Sequence, residues 1–375
     1  MTEVFVVNSG SSSIKYQLVD VETGAALVNG LIERIGEPGA EAKDHVAGMK
    51  LALDALGTGH DIQAVGHRVV HGGTRFTEAT VITDKVEHEI DDLSPLAPLH
   101  NPANLVGIRA ARKALPDVPH VAVFDTAFHR TLAPDAYTYA IDADLAEKHA
   151  VRRYGFHGTS HKYVSERAAE FLGRKLEDTK TIVLHLGNGA SACAIDGGRS
   201  IDTSMGMTPL EGLVMGTRSG DIDPAILAYL HAQAGLGFDE LDTLLNKKSG
   251  LLGLTGNGDM RDVQTAASNG DEKAEAALAV YRHRIRHYVG AYIAELGGLD
   301  ALVFTAGVGE NSVALRQQSL DGLERLGISV DPARNAAKSK DARHISPDGS
   351  PVAVLVIPTN EELEIARQTV AVTGG

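Results

Sequence analysis

The chain has 375 residues, 43% hydrophobic and 22% charged, with a formal net charge of −14. This is a globular composition, long enough for two cores, and it excludes a disordered or fibrous protein. The charge should repel nucleic acid and anionic membranes, and no apolar run approaches the ~20 residues needed to span a bilayer.

The single cysteine, Cys193, rules out an intramolecular disulfide and a cysteine zinc site, and fits a reducing cytoplasm. The start, Met1-Thr2-Glu3, runs straight into apolar residues with no basic segment, so no secretory signal is read there. Val4 to Val7 reads as a strand, Asn8-Ser9-Gly10-Ser11-Ser12-Ser13 as a turn, and Ile14 to Val19 as an alternating half-buried strand. The stretch from Gly36 to His60 carries few landmarks and is expected to be a peripheral excursion that does not touch the site. Asn101-Pro102 has the pattern of an N-cap and N1 proline before a helix through Ala114. Val121 to Phe124 is a strand ending at Asp125, and the loop Tyr154-Gly155-Phe156-His157-Gly158 marks the crossing into a second domain.

The opening pattern returns in mid-chain. Thr181 to Leu186, Gly187-Asn188-Gly189 and Ala190 to Ile195 again spell strand, turn, strand, followed by a turn at Asp196-Gly197-Gly198. Asp223-Pro224 opens a helix stopped by Gly235; His283 and His287 lie on a solvated helical face. Ala301 to Phe304 runs into Thr305-Ala306-Gly307, Asn311 opens a periodic stretch that stops at Gly327, and Val352 to Ile357 runs into Pro358-Thr359-Asn360-Glu361. Thr359 and Glu362 have capping-box spacing, leaving Glu361 in a first helical turn facing the strand ends. Helices alternating with strands make the class α/β. The domains are read as 1–150 and 151–359, with a last helix over 360–375 packing back on the first.

Three Gly-rich segments could cradle phosphates: Asn8 to Ser13, His185 to Gly189, and Gly307 to Asn311. Glycine lets backbone N–H groups approach an anion closely, and the third segment precedes a helix N-terminus. There is no Walker A pattern, Gly307-Val308-Gly309 stops at Ser312 short of a dinucleotide fingerprint, and Gly158-Thr159-Ser160-His161-Lys162 lacks a nucleophile elbow's last glycine. His157 and His161 stand four apart without an H-E-x-x-H zinc motif. Arg68, in an apolar run, and Arg218, in the turn Met215 to Asp221, are either bonded to carboxylates or aimed at a ligand; in an acidic protein the ligand is favoured for both. His100 and His157 are the candidate functional histidines. Asp125 and Glu361 could serve metal or substrate, or act as caps.

Together these motifs resemble the acetate kinase family. The matching segments are Asn8 to Lys15, His67 to Gly73, Leu96 to Pro102, Phe124 to His129, Arg153 to His161, His185 to Gly189, Met215 to Asp221, Gly307 to Ser312 and Thr359 to Glu362, in family order along almost the whole chain. The resemblance implies two related ribonuclease H-like domains of the actin, Hsp70 and sugar kinase type, with ATP in an interdomain cleft. It implies a cytoplasmic homodimer that transfers phosphoryl reversibly between ATP and acetate, giving ADP and acetyl phosphate, with Mg²⁺ (Mn²⁺ as the substitute) and without nucleic acid or membrane partners. Asn8 and Glu361 are then expected at the metal. Lys15, Ser11 and Ser13 are expected near the phosphates, and His185, Leu186, Gly187, Asn188, Gly189, Asp259, Met260, Arg261, Gly307, Val308, Gly309, Glu310 and Asn311 at the nucleotide. Arg68 and His100 would meet the acyl substrate, with Val70, Leu99 and Pro209 lining a methyl pocket. Asp125 would be an acid/base or positioning carboxylate, while His157 and Arg218 would stabilise the transition state. A propionate or butyrate kinase, and an actin- or Hsp70-like ATPase switch, are the alternatives; an NAD-dependent dehydrogenase is disfavoured by the missing fingerprint.

Overall fold

The computed structural model describes residues 2–57 and 59–374; Met1, Thr58 and Gly375, which fall inside the sequence-derived domain boundaries, lie outside the described residues. The chain forms two compact units. The first holds the residues up to Arg130, Phe156–Tyr163 and the segment from Asn360 onward; the second holds Thr131–Gly155 and Val164–Thr359.

In the first unit, β1 (Glu3–Ser9), β2 (Ile14–Asp20), β3 (Ala25–Ile32), β4 (Ile62–Val69), β5 (Thr80–Val81) and β6 (His120–Phe124) form a sheet in the order β3-β2-β1-β4-β6-β5. The β1–β4 and β4–β6 pairs are parallel and the others antiparallel. The second unit contains β7 (Lys180–Leu186), β8 (Ala190–Asp196), β9 (Arg199–Thr203), β10 (Ala301–Thr305), β11 (Arg343–His344) and β12 (Ala353–Val356). Its order, read from β9, is β9-β8-β7-β10-β12-β11, with the same succession of antiparallel and parallel pairs. The two units are thus related ribonuclease H-like α/β folds. Their central strands are buried almost throughout, as parallel strands covered on both faces must be. The hairpin strand β2 instead alternates, with Ile14, Tyr16 and Leu18 inward and Lys15 exposed.

Several expected boundaries move by a residue because a neighbour makes the better cap. Asn360, not Thr359, caps the Glu361–Thr373 helix, its side chain accepting from the Leu363 amide at 3.0 Å; Glu361 does open that helix. Ser312, not Asn311, caps Val313–Leu320, since Asn311 closes a short helix of its own, Ala306–Asn311. The segment read as a third Gly-rich loop is therefore mostly helical. Asn101 is the first residue of the Asn101–Ala114 helix rather than its cap, because its side chain is engaged elsewhere. The Ala225–Ala234 helix ends as expected at Gly235, which takes the left-handed conformation.

The Gly36–His60 stretch is not peripheral. It folds into the helix His45–Leu56, capped by Asp44, whose Met49, Ala52 and Leu56 enter the core with Phe5, Ile14 and Leu18. It also reaches the first Gly-rich turn: an imidazole nitrogen of His45 lies 2.8 Å from the Gly10 carbonyl. Met49 is 1% exposed. Met49→Ala should therefore cost about 2–5 kcal/mol in urea unfolding, whereas a peripheral helix would register less than ~0.5.

Candidate active site

In the first unit the site begins with strand pairing. Parallel β4 and β6 end side by side, the Asp125 amide donating to the Val69 carbonyl at 3.0 Å. Arg68, one residue from the end of β4, therefore meets Asp125 directly. Its Nε donates to Oδ1 and Oδ2 at 3.0 and 3.1 Å, and its Nη2 to Oδ2 at 2.6 Å. Asp125 is 1% exposed, so this is a buried bidentate ion pair. Of the two alternatives for Arg68, the carboxylate bond is thus made. Burial alone would lower the guanidinium's pKa, but Asp125 and Glu361 outweigh it and hold Arg68 above its ordinary value. Burial pushes the Asp125 carboxyl up, against the opposing pull of Arg68.

Glu361 belongs to the same electrostatic cluster. Its helix packs on β4 and β1, closely enough that a Cβ on Gly66 would fall 2.6 Å from Thr369 Oγ1. Burial raises the Glu361 pKa while Arg68 opposes the rise, and its buried Oε1 has no hydrogen-bond partner among the described residues. Lys15, opposite Asn8 in the β1–β2 register, is ion-paired to Glu362. Ser11 is exposed and Ser13 half-buried in the turn closed by the Gly10 amide on the Ser13 carbonyl.

Two histidines adjoin Asp125. His100 acts on it electrostatically, and His157 precedes Gly158, whose amide donates to the Asp125 carbonyl at 2.9 Å. A Cβ on Gly158 would lie 2.2 Å from that oxygen, so only glycine permits the approach. His157 itself has φ of 54°, a left-handed conformation a non-glycine residue adopts at a cost of roughly 1–2 kcal/mol. Val70 is buried; Leu99 is 54% exposed.

The second unit carries a cavity of about 610 Å³. Gly187 and Asn188 from the β7–β8 turn, the triplet Asp259-Met260-Arg261, and Gly307, Val308 and Asn311 form much of its wall. His185, Leu186, Gly189, Gly309 and Glu310 lie off it; Leu186 and Gly309 are buried instead. Asp259 caps the Met260–Ser268 helix and pairs with the exposed Arg261, which holds its carboxyl below the usual range.

Beside this cavity, Gly216 carries the Arg218 turn. Its amide donates to the Asn188 carbonyl at 3.0 Å, and a Cβ there would fall 2.1 Å from Asn188 Oδ1. Arg218 is half-buried and donates from Nη1 to the Pro209 carbonyl at 2.7 Å, which brings those two expected site residues together. Unlike Arg68, Arg218 has no carboxylate partner among the described residues. Burial lowers its pKa, yet a guanidinium remains charged.

A model of the acetokinase family matches residues 3–367. The chain belongs to the acetokinase family. An acetate kinase of Leifsonia xyli subsp. xyli is 66% identical over 397 aligned residues, covering 100% of both chains. The fold is similar to the crystal structure of Porphyromonas gingivalis acetate kinase, with TM-score 0.95, 43% identity and 100% of each chain covered. It is also similar to that of a propionate kinase from Francisella tularensis subsp. tularensis SCHU S4, with TM-score 0.93, 43% identity, and 99% and 100% covered. As a member of the acetokinase family the chain is an enzyme, a phosphotransferase with a carboxyl group as acceptor.

Sequence reading missed several acetokinase site elements. Asn104 accepts from the Val70 amide at 3.1 Å and donates to the Ser9 carbonyl at 2.8 Å, while Asn101 accepts from the His71 amide and donates to its carbonyl. Both asparagines are buried, and they tie the strand-end segments after β1 and β4 to one helix. Two asparagines three apart on a helix, where asparagine is unfavourable, were the available signal. Leu251, Gln264, Tyr281 and Ser312 also line the cavity, with Gln264 Nε2 donating to Ser312 Oγ at 2.6 Å. Nothing in their sequence context marks them.

The buried pair yields a stability test. Asp125→Ala strands the Arg68 charge and should cost about 3–5 kcal/mol in urea unfolding. In the cycle with Arg68→Ala the double variant should lose much less than the sum of the single ones; additive losses would mean that the pair is not coupled.

Proposed function

We propose that this chain catalyses reversible, Mg²⁺-dependent phosphoryl transfer between ATP and acetate, giving ADP and acetyl phosphate by direct in-line attack. The first unit would hold the carboxylate through Arg68 and His100, with Val70 and the exposed Leu99 against its methyl group. The second unit would hold the nucleotide in its cavity, with Pro209 and Arg218 beside it.

The observation that carries the acceptor's chemistry is the state of Asp125. A sugar or alcohol acceptor needs a general base to take its hydroxyl proton. Here the carboxylate best placed for that task is locked in bidentate contact with Arg68. A carboxylate acceptor arrives already ionised and needs no base. Asp125 is therefore a positioning group that aims Arg68. What remains is to neutralise charge on the transferring phosphoryl oxygens. Arg218, with guanidinium capacity beyond its one carbonyl bond, and His157 suit that role.

A divalent ion fits the residues present. The orphaned Oε1 of Glu361 and the side-chain oxygen of Asn8 at the end of β1 are its proposed protein ligands. The described residues contain no cluster of three His, Cys, Asp or Glu able to cage a metal, which suits Mg²⁺, or Mn²⁺ in its place, held largely by phosphate oxygens and water. When bound, such an ion would neutralise phosphate charge. No described helix is long and apolar enough to cross a membrane. We place the enzyme in the cytoplasm, where ATP is available, as a homodimer; Tyr229 and Phe238, 66% and 83% exposed, offer apolar surface that association would cover.

Acid length is the open specificity, because a propionate kinase is as similar in sequence as an acetate kinase among the solved structures. The 64–66% identical relatives are acetate kinases, and Val70 favours a small pocket. Acyl phosphate trapped as hydroxamate should fall from acetate to propionate to butyrate, each methylene costing roughly 1–3 kcal/mol in kcat/KM. Product mainly with propionate or butyrate would reassign the acceptor, and none with any acid would overturn the reaction. Arg218→Ala should retain the native circular dichroism spectrum and lose roughly 10³-fold or more in kcat; near-normal turnover would remove Arg218 from the transition state.

A further inference from the structure

A second cavity of the second unit, about 440 Å³, borders the far end of the Ala306–Asn311 helix and shares only Asn311 with the nucleotide cavity. Its wall carries four cations, Arg316, Lys338, Lys340 and Arg343, against one carboxylate, Glu310. In a chain of net charge −14 such a concentration calls for a cause.

The usual cause, ion pairing, does not apply. Among the described residues none of the four cations makes a salt bridge. Arg316 is 1% exposed and spends its donors on neutral oxygens: Asn335 Oδ1 at 2.7 Å, the Asn335 carbonyl at 2.9 Å, and the Gly309 and Glu310 carbonyls at 2.9 and 2.8 Å. Arg343 donates to the Ser339 and Glu310 carbonyls at 3.1 and 3.3 Å, and its buried Nε has no partner. The Glu310 carboxylate is turned to the Thr359 amide at 3.2 Å. Lys338 and Lys340 are exposed at the rim, with Asp341 beside them. Two guanidiniums on helix-end carbonyls are electrostatically reasonable, and Glu310 acts on Arg343, but one carboxylate does not balance four cations, and a buried donor is left over among the described residues.

We infer that this cavity is an anion-binding site, separate from the nucleotide site, that takes a small multiply charged oxyanion, a phosphate or a polycarboxylate. Arg343 and Arg316 form its floor, and Lys338 and Lys340 close over the ligand. The same guanidiniums hold the carbonyls of a helix whose Gly307, Val308 and Asn311 line the nucleotide cavity. The site is thus placed to sense anions next to the nucleotide without entering its cavity.

The test is calorimetric titration of the full chain with inorganic phosphate and, separately, citrate, at fixed ionic strength and with a non-hydrolysable ATP analogue filling the nucleotide cavity. Saturable binding of either ion identifies its class; binding no stronger than that of chloride overturns the site. In Lys338→Ala/Lys340→Ala, whose altered residues are exposed, affinity for that ion should fall by roughly tenfold or more while the melting temperature and the KM for ATP stay as in the parent. Unchanged anion affinity would overturn the assignment, and so would a parallel rise in KM for ATP, since the cavity would then be part of the nucleotide site.

Discussion

The first unit depends on one buried ion pair. Arg68 and Asp125 meet because two parallel strands end level with each other, and the pair persists because it is bidentate, with Asp125 buried and Arg68 half-buried. Its consequences spread along the chain. Asp125 presents its backbone carbonyl to Gly158, which draws in the strained His157, and its side chain fixes the direction of Arg68. Glu361, brought to the same strand ends by a helix seated on a glycine, adds a second carboxylate to one arginine. Burial opposes ionisation of both acids while Arg68 favours it, and the buried Oε1 of Glu361 has no hydrogen-bond partner among the described residues.

The second unit repeats the sheet but not the chemistry. The strand–turn–strand opening that in the first unit leads to Asn8, Ser11 and Lys15 leads here to Gly187 and Asn188 on a cavity wall. Close backbone approach does the positioning in both. Gly216 against Asn188 sets the Arg218 turn, as Gly158 against Asp125 sets His157. In each case a Cβ would come within 2.2 Å of its neighbour, so a larger side chain forces a shift beside a catalytic candidate, and orientation-dependent catalysis tolerates little displacement.

These differences explain what could be read in advance. The strands were legible because burial dictates their pattern, from Val4 to Val7 through Ala301 to Phe304. The repeated strand–turn–strand opening exposed the duplication before any pairing was known. Arg68, Asp125 and Glu361 were found singly, but their meeting was not, because it depends on strand order, which no local pattern encodes. Cap positions at Asn311 and Thr359 slipped by one because Ser312 and Asn360 next to them cap equally well, whereas Asn101 gives up the cap because its side chain bonds the His71 backbone. The Gly36–His60 stretch was misjudged for want of recognisable landmarks, although Met49, Ala52 and Leu56 at i, i+3 and i+7 have the spacing of a buried helical face. Tyr281 and Gln264 gave no signal, since a cavity lined by several helices is a property of packing alone.

The charge balance shows how an acidic protein can handle acidic ligands. At −14 the chain repels anions at long range, but that field is screened within about 8 Å at physiological ionic strength. Inside this distance, placement decides. Many arginines and lysines are spent on ion pairs that neutralise their neighbours, as Arg109 and Arg112 are on Glu87, Asp84 and Asp91. Others bond only neutral oxygens among the described residues, as Arg218 does on the Pro209 carbonyl and Arg316 and Arg343 do on helix-end carbonyls. A guanidinium bonded only to neutral oxygens keeps its full charge in a low-dielectric setting, where that charge acts most strongly. Such residues destabilise the free protein slightly and gain their compensation when an anion arrives. Arg218, beside one cavity, and Arg316 and Arg343, on the wall of another, are positions of this kind, where an arriving anion would meet a guanidinium bonded only to neutral oxygens.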